Sequence, residues 1–170
     1  FMYFIGGLLG YSVRLFLARS LSVSDFGLFY AILAFTGFLT LFRDPGFSTT
    51  LTKFVAEFKA KKDFVAIKSS FSIILILEIL ISGFVVISVF IFSDYISVSY
   101  FKTYEAVLPL KIMILSYFAS VFVTVQFVFL GLGKIKYYSI MEPVRNISTF
   151  SAIAMLIGLG VVGAAIGYLV

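Results

Sequence analysis

Residues 18–57 decide the fold, and they read ARSLSVSDFGLFYAILAFTGFLTLFRDPGFSTTLTKFVAE. A short polar turn leads into a long apolar run at Asp25. This residue suits a helix N-cap, because its carboxylate can accept an amide of the first helical turn. The run continues to Arg43 and is then interrupted by Asp44-Pro45-Gly46 before it resumes. The stretch predicts a long helix with a built-in defect.

The defect predicts a hinge at Pro45 and Gly46. Proline lacks an amide hydrogen and clashes with the carbonyl four residues before it, whereas glycine bends without a side-chain penalty. For a helix that begins near Phe26, Asp44 lies about 27 Å along the axis, within a hydrocarbon core about 30 Å thick. Backbone groups freed at that depth need partners in protein or in a water-filled cavity.

A polar stripe follows the same helix and recurs at every fourth residue: Thr36, Thr40, Asp44, Ser48 and Thr52. This spacing places the stripe on one helical face, which we expect to line a cavity. Arg43, Asp44 and Thr40 are candidate cavity residues on this helix. The alternative for Asp44 is an ion pair with Arg43 or with another basic residue.

The composition indicates a membrane protein. Of the 170 residues, 62% are hydrophobic and only 12% are charged, whereas soluble domains are about half apolar. The net charge of +5 comes from basic residues between apolar spans, as in the positive-inside rule, and does not indicate nucleic-acid binding. The chain contains no cysteine and no histidine, so any proton coupling must use carboxylates.

The apolar runs predict an all-α, polytopic bundle in a single membrane domain over residues 1–170. The expected helices cover residues 1–18, 26 onward through the hinge, 69–93, 108–130 and 138–159, with 94–111 as a polar connection. Gly158 and Gly160 predict a tight turn, after which a sixth helix begins. The chain starts at Phe1 and ends within an apolar run, so we expect it to be a fragment with about five complete membrane helices. The lysines predict a cytoplasmic side: Lys59, Lys61, Lys62, Lys68, Lys134 and Lys136.

Two further charges fall within predicted spans. A count along the helix from Lys68 places Glu78 near the bilayer centre. A carboxyl group at that depth must be protonated, paired with a positive charge or in contact with water, which makes Glu78 a candidate coupling or gating residue. Arg14 is a candidate cavity residue, although its side chain could also reach the headgroups. Glu142 and Arg145 are spaced for an ion pair within one helix.

Catalytic chemistry has no support in the sequence. It contains no glycine-rich phosphate loop, no metal-ligand cluster and no nucleophile placed beside a base. We therefore expect no enzyme activity, no metal and no cofactor.

The sequence resembles the polysaccharide (oligosaccharide-lipid) flippase family of the multidrug/oligosaccharidyl-lipid/polysaccharide exporter superfamily. The residues that carry the resemblance are Ala18-Arg19, Asp25-Phe26-Gly27-Leu28, Phe42, Asp44, Gly46-Phe47-Ser48-Thr49 and Phe54-Val55-Ala56-Glu57. Weaker similarities lie at residues 130–134, 137–138 and 160–165. Pro45 departs from the small or apolar residue that the family commonly has there.

The resemblance implies the amino-terminal lobe of a two-lobed transporter in the plasma (inner) membrane, whose carboxy-terminal lobe is missing from this chain. Its substrate would be a polyprenyl-diphosphate-linked oligosaccharide that moves from the inner to the outer leaflet, and its other partner the membrane lipid. The alternative is a multidrug or organic-cation antiporter of the same superfamily, which should present carboxylates and aromatic residues to its cavity. Arg14 and Arg43 favour the anionic cargo. A scaffold without a transport role would gain nothing from Asp44 and Glu78 within the membrane.

Overall fold

The computed structural model describes residues 2–169, with side chains from residue 6 onward, and confirms an all-α polytopic bundle. The α-helices are α1 (Met2–Ser20), α2 (Val23–Arg43), α3 (Phe47–Ala60), α4 (Phe64–Ser99), α5 (Val107–Ala119), α6 (Thr124–Gly131), α7 (Ile135–Leu156) and α8 (Gly160–Gly167). Short 3-10 turns cover Tyr104–Ala106, Ser120–Val123 and Ile157–Leu159. In the described chain, four stretches are long and apolar enough to cross a membrane: Val23–Arg43, Phe64–Ser99, Tyr104–Gly131 and Ile135–Gly167.

The start of α2 corrects the predicted cap. Ser22, with extended backbone angles, is the N-cap, and its hydroxyl accepts the amide hydrogen of Asp25 at 3.1 Å. The helix therefore begins at Val23, and Asp25 lies in its first turn, where a carboxylate is favoured by the helix dipole. The prediction of Asp25 as the cap was wrong because Ser22 supplies the acceptor one turn earlier.

Helix α4 is longer than predicted at both ends. It begins after Asp63, whose carboxylate accepts the amide of Ala66 at 2.9 Å, and it continues into the first part of the expected polar connection, as far as Ser99. Its 36 residues make a rod about 54 Å long, far longer than the hydrocarbon core. Asp94 is exposed beyond the most apolar part of the helix, where a charge need not end it.

The two faces of α4 differ in polarity. Its buried face carries Glu78 and three serines, while large apolar side chains point outward from Ile73 to Phe92. This exposed apolar band covers about 30 Å, which matches the hydrocarbon thickness of a bilayer. The helix thus presents apolar side chains to lipid and turns most of its polar side chains, with Ile67, Ile74 and Val89, towards protein.

Two hydrophobic clusters build the interior. The main cluster joins α1, α2, α5, α7, α8 and the distal half of α4, and it includes Leu17, Phe29 and Ile114. The second cluster joins α3, α6 and the first part of α4 around Leu51 and Val55. We call its side of the molecule the basic end, because Lys59 there donates to the carbonyl of Leu132 at 2.6 Å and so brings the two lysine-rich turns together.

The chain reverses after α7, as predicted from Gly158 and Gly160. Gly160 has a φ of +63°, and α8 folds back along α7. A Cβ atom on Gly163 would lie 1.8 Å from the carbonyl oxygen of Leu156, although an unbroken helix would separate the two residues by about 10 Å. A further helix therefore begins after the turn, packed closely on the one before it.

Candidate functional site

A cavity of about 380 Å³ lies among α1, α2, α5, α7 and α8. Most of its polar lining consists of hydroxyl groups, from Thr36, Thr40, Ser116, Tyr117, Ser120, Thr149 and Tyr168. Asn146 adds an amide and Arg145 a positive charge. None of the described residues that line the cavity is acidic. Apolar residues such as Leu33 and Met113 complete the lining, so the hydrogen-bonding groups and the positive charge lie within a partly apolar surface.

The charged wall of the cavity comes from α7. Arg145 donates from Nη2 to Oε1 of Glu142 at 2.7 Å, which confirms the predicted ion pair, while Glu142 itself is not a lining residue. On the next position, Asn146 donates from Nδ2 to the carbonyl of Gly6 at 2.9 Å and joins α7 to α1. The side chain of Arg145 is half exposed, so it keeps donors available to a ligand.

The predicted polar stripe divides at the end of α2. Thr36 and Thr40 line the cavity, and their hydroxyls donate to carbonyls of their own helix, that of Thr40 to Gly37 at 2.6 Å. Ser48 and Thr52 do not line it, because the interruption between α2 and α3 changes the face on which the later positions lie. Two of the five stripe residues, Thr36 and Thr40, therefore line the cavity.

Asp44 is occupied by the start of α3. Its Oδ1 accepts the amides of Gly46 and Ser48 at 3.2 and 3.0 Å, and its Oδ2 accepts the Ser48 hydroxyl at 2.5 Å. Among the described residues it makes no ion pair with Arg43 and does not line the cavity. Gly46 has a φ of +109°, so the predicted hinge residues lie in a true helix break.

Arg43 is not a lining residue, but its side chain bonds to two residues that line the cavity. Its Nη1 donates to the carbonyl of Tyr117 at 3.1 Å and to the hydroxyl of Ser120, and its guanidinium carbon lies 5.4 Å from the centre of the Tyr117 ring. Its buried Nε has no hydrogen-bond partner among the described residues. This side chain joins the end of α2 to the 3-10 turn that follows α5.

Glu78 is 1% exposed and accepts a hydrogen bond from the hydroxyl of Thr124, the first residue of α6. Arg43 and Asp44 lie within electrostatic range of it, yet the described part of the chain shows no ion pair to it. Relative to the apolar band of α4, Glu78 lies about 7 Å from the centre, towards the basic end. It is therefore deeply buried but less central than the sequence suggested.

Arg14 lies outside the cavity. Its side chain is exposed on α1, with the guanidinium carbon 5.4 Å from the centre of the Tyr30 ring, while its neighbour Val13 lines the cavity. Of the residues that the sequence assigned to the cavity, the structure places Thr40 in the lining, together with Thr36 of the polar stripe. A substrate contact by Arg14, Arg43 or Asp44 stays a prediction.

Sequence reasoning did not assign the α7 residues to the cavity. Arg145, Asn146 and Thr149 are polar residues within a predicted span, and such residues mark functional positions by default. That signal was present, but the spacing of Glu142 and Arg145 favoured a purely structural ion pair. No feature of the sequence indicated that Tyr168 lines the cavity, because its position depends on how α8 packs against α7. In the described residues no group of three or more acidic side chains could hold a metal ion.

Comparisons with known proteins agree with this architecture. The sequence model of the family described as "Polysaccharide biosynthesis protein" matches residues 1–170. An uncharacterized membrane protein of Methanocaldococcus jannaschii is 33% identical over 98 residues, which cover 58% of this chain and 19% of that protein. The chain thus spans about a fifth of the length of this relative. No solved structure matches the chain.

Proposed function

The chain belongs to the polysaccharide biosynthesis protein family, and on that premise we propose that it is part of a flippase for polyprenyl-diphosphate-linked oligosaccharides. The described helices form a multi-pass membrane protein. The proposed whole transporter has a second, carboxy-terminal lobe, lies in the plasma membrane and moves its substrate from the inner to the outer leaflet.

The chemistry of the cavity lining is the observation that supports this substrate. Hydroxyl groups and the Asn146 amide can bond to a sugar, and Arg145 can bind a diphosphate with charge-assisted hydrogen bonds. The lipid tail can stay in the bilayer while the headgroup occupies the cavity. Thr40 contributes to the same lining from α2.

An organic-cation antiporter is the second candidate, and the aromatic rings of Tyr117 and Tyr168 in the lining favour it. A cation site should also present a carboxylate. The described lining has none, and the buried carboxylate of Glu78 bonds to Thr124 outside the cavity. The anionic substrate is the better match.

The test compares two substitutions on one ion pair in the full-length protein. Arg145→Gln removes both the pair with Glu142 and the positive charge of the cavity, whereas Glu142→Gln removes only the pair. We expect Arg145→Gln to slow the translocation of a fluorescent polyprenyl-diphosphate oligosaccharide in proteoliposomes about tenfold or more, because a hydrogen bond to a charged group contributes about 1.5–3 kcal/mol.

Glu142→Gln is the matched control and should transport at close to the parental rate. Equal rates for both variants, or a parental rate for Arg145→Gln, would contradict the proposal. Efflux of an organic cation by the parental protein, without movement of the lipid-linked sugar, would favour the antiporter.

Glu78 is the proposed coupling or gating residue. Glu78→Gln keeps the acceptor for Thr124 but fixes the neutral form, so we expect a folded transporter whose transport is lost or no longer responds to pH or sodium. The measurement is the transport rate as a function of pH and sodium concentration. Transport with parental rate and ion dependence would remove Glu78 from the coupling mechanism.

A further inference from the structure

Two membrane helices are interrupted side by side next to the cavity. On one, α2 ends at Arg43 and the chain resumes as α3 at Phe47. On the other, α5 passes into the 3-10 turn Ser120–Val123 before α6 begins. A short 3-10 stretch within a helix often marks a hinge. Thr40, in the last turn of α2, and Ser120 and Val123, the first and last residues of the 3-10 turn, all line the cavity, so both breaks lie at its border.

The segments beyond the two interruptions are fastened to each other. Gly131 of α6 has no room for a side chain, because a Cβ atom would lie 2.7 Å from both the Thr52 carbonyl oxygen and the Val55 Cβ atom. The Thr52 hydroxyl donates to the carbonyl of Phe127 at 3.4 Å, and Lys59 donates to the carbonyl of Leu132. We call α3 and α6 together the α3–α6 pair.

The pair shares a hydrophobic cluster with Ile67 and Ile74 in the first part of α4. Leu51 and Val55 of α3 are fully buried with Phe127 and Val128 of α6 against them, and this cluster is separate from the main one. Polar residues that belong to neither cluster bond to one another where the two clusters meet: Arg43, Asp44, Glu78, Ser120 and Thr124. Packing across this polar layer is weaker than packing within either cluster, because apolar burial supplies most of the packing free energy.

From this arrangement we propose that the α3–α6 pair moves as one flap at the basic end of the cavity, and that Arg43 is the latch that holds both hinges. The latch joins the last residue of α2 to the carbonyl of Tyr117 and to Ser120, the first residue of the 3-10 turn. When these hydrogen bonds break, the chain can bend at both interruptions at once. Arg43 is thus a positioning residue.

The flap also reaches the proposed coupling carboxylate, a link that rests on the proposed function. Thr124, the first residue of α6, donates to Glu78 on the continuous helix α4. When the pair moves, this bond must stretch or break, and the carboxylate then needs water or a proton in place of the hydroxyl. The position of the flap and the charge of Glu78 are therefore linked.

The experiment measures distances between nitroxide labels in the full-length protein in nanodiscs, on a cysteine-free background. Cysteines replace Lys53 on α3, Gln126 on α6 and Ser99 at the far end of α4; Lys53 and Ser99 are exposed and Gln126 is partly exposed. Arg43→Gln should widen the distance distributions from Lys53→Cys to Ser99→Cys and from Gln126→Cys to Ser99→Cys together. The distribution within the pair, from Lys53→Cys to Gln126→Cys, should stay narrow.

Arg14→Gln is the matched control, because Arg14 also lies 5.4 Å from a tyrosine ring but on α1, away from both interruptions. It should leave all three distributions unchanged. Ser120→Ala removes one acceptor of Arg43 and should widen the same two distance distributions by a smaller amount. If Arg43→Gln does not fold, Ser120→Ala provides the test. Movement of α3 alone, an unchanged set of distances, or equal widening by Arg14→Gln would overturn the proposal. These distances do not depend on transport, so the flap can fail while the proposed function stands.

Discussion

Two prolines within the bundle have different effects on their helices. At Pro45 the helix stops, and the chain resumes as α3 only at Phe47. At Pro143 helix α7 continues without interruption from Ile135 to Leu156. Both prolines remove an amide donor and crowd the preceding turn. A missing donor alone therefore does not explain why only one helix breaks.

The difference lies in the residues on either side of Pro45. Gly46 adopts a φ of +109°, which an L-residue with a side chain avoids, and Asp44 accepts the amides of Gly46 and Ser48 where α3 begins. The neighbours of Pro143 are Glu142, which bonds to Arg145, and Val144. Unlike glycine, valine has a branched side chain and avoids a positive φ. Proline weakens a helix, but a cap and a left-handed residue are needed to end it.

Of the substitutions that test the difference between Pro45 and Pro143, Gly46→Ala should have the largest effect on stability. An alanine Cβ atom would meet only ordinary contact with Thr49, 3.6 Å away, so the cost comes from the backbone angle and not from crowding. We expect a loss of roughly 1–3 kcal/mol of unfolding free energy. Unfolding in mixed detergent micelles, followed by circular dichroism, measures it. An unchanged free energy would mean that the break does not need the left-handed residue.

Asp44→Ala should have the next largest effect. It removes the acceptor for two amides and for the Ser48 hydroxyl, and loss of an N-terminal cap costs about 0.5–2 kcal/mol. Asp44→Asn, which keeps one acceptor oxygen, should recover part of the loss in the same unfolding measurement. If Asn is no better than Ala, the bonds to Asp44 do not stabilise the start of α3.

The two prolines themselves should give the smallest effects. Pro45→Ala should cost about 0.4–1 kcal/mol, since it frees the unfolded chain. Pro143→Ala should change stability less, because a new hydrogen bond of about 0.5–1.5 kcal/mol offsets the loss of buried methylene groups at about 0.8 kcal/mol each. Both are measured by the same unfolding assay. A large loss at Pro45 would show that proline, and not its neighbours, makes the break.

Local features were predictable from the sequence, whereas contacts between distant residues were not. Three features follow from residues that are close in the chain. They are the break at Pro45 and Gly46, the need of the buried Glu78 carboxyl group for a partner, and the ion pair of Glu142 with Arg145. The partner of Glu78 is 46 positions away on α6, and the partners of Arg43 are 74 and 77 positions away. Such pairs depend on how helices pack, and periodicity along one helix does not determine that.

The cavity shows the same limit. Thr36 and Thr40 were placed in it because they share a face of α2. The change of face after Asp44 depends on the backbone angles of Gly46, and the part played by Arg145 depends on α7 lying against α1. A charged residue can therefore be assigned to a cavity only when the positions of the neighbouring helices are known.

The length of α4 carries the proposed flap past the edge of the hydrocarbon. The exposed apolar band begins at Ile73, so the first residues of α4, from Phe64 onward, lie about 13 Å or less outside the hydrocarbon. The α3–α6 pair packs beside this segment and shares a cluster with Ile67 outside the band and with Ile74 inside it. A swing of the pair would displace headgroups and water as well as acyl chains. The resistance it meets then includes the lateral pressure of the headgroup layer, which depends on the size and charge of the lipid headgroups.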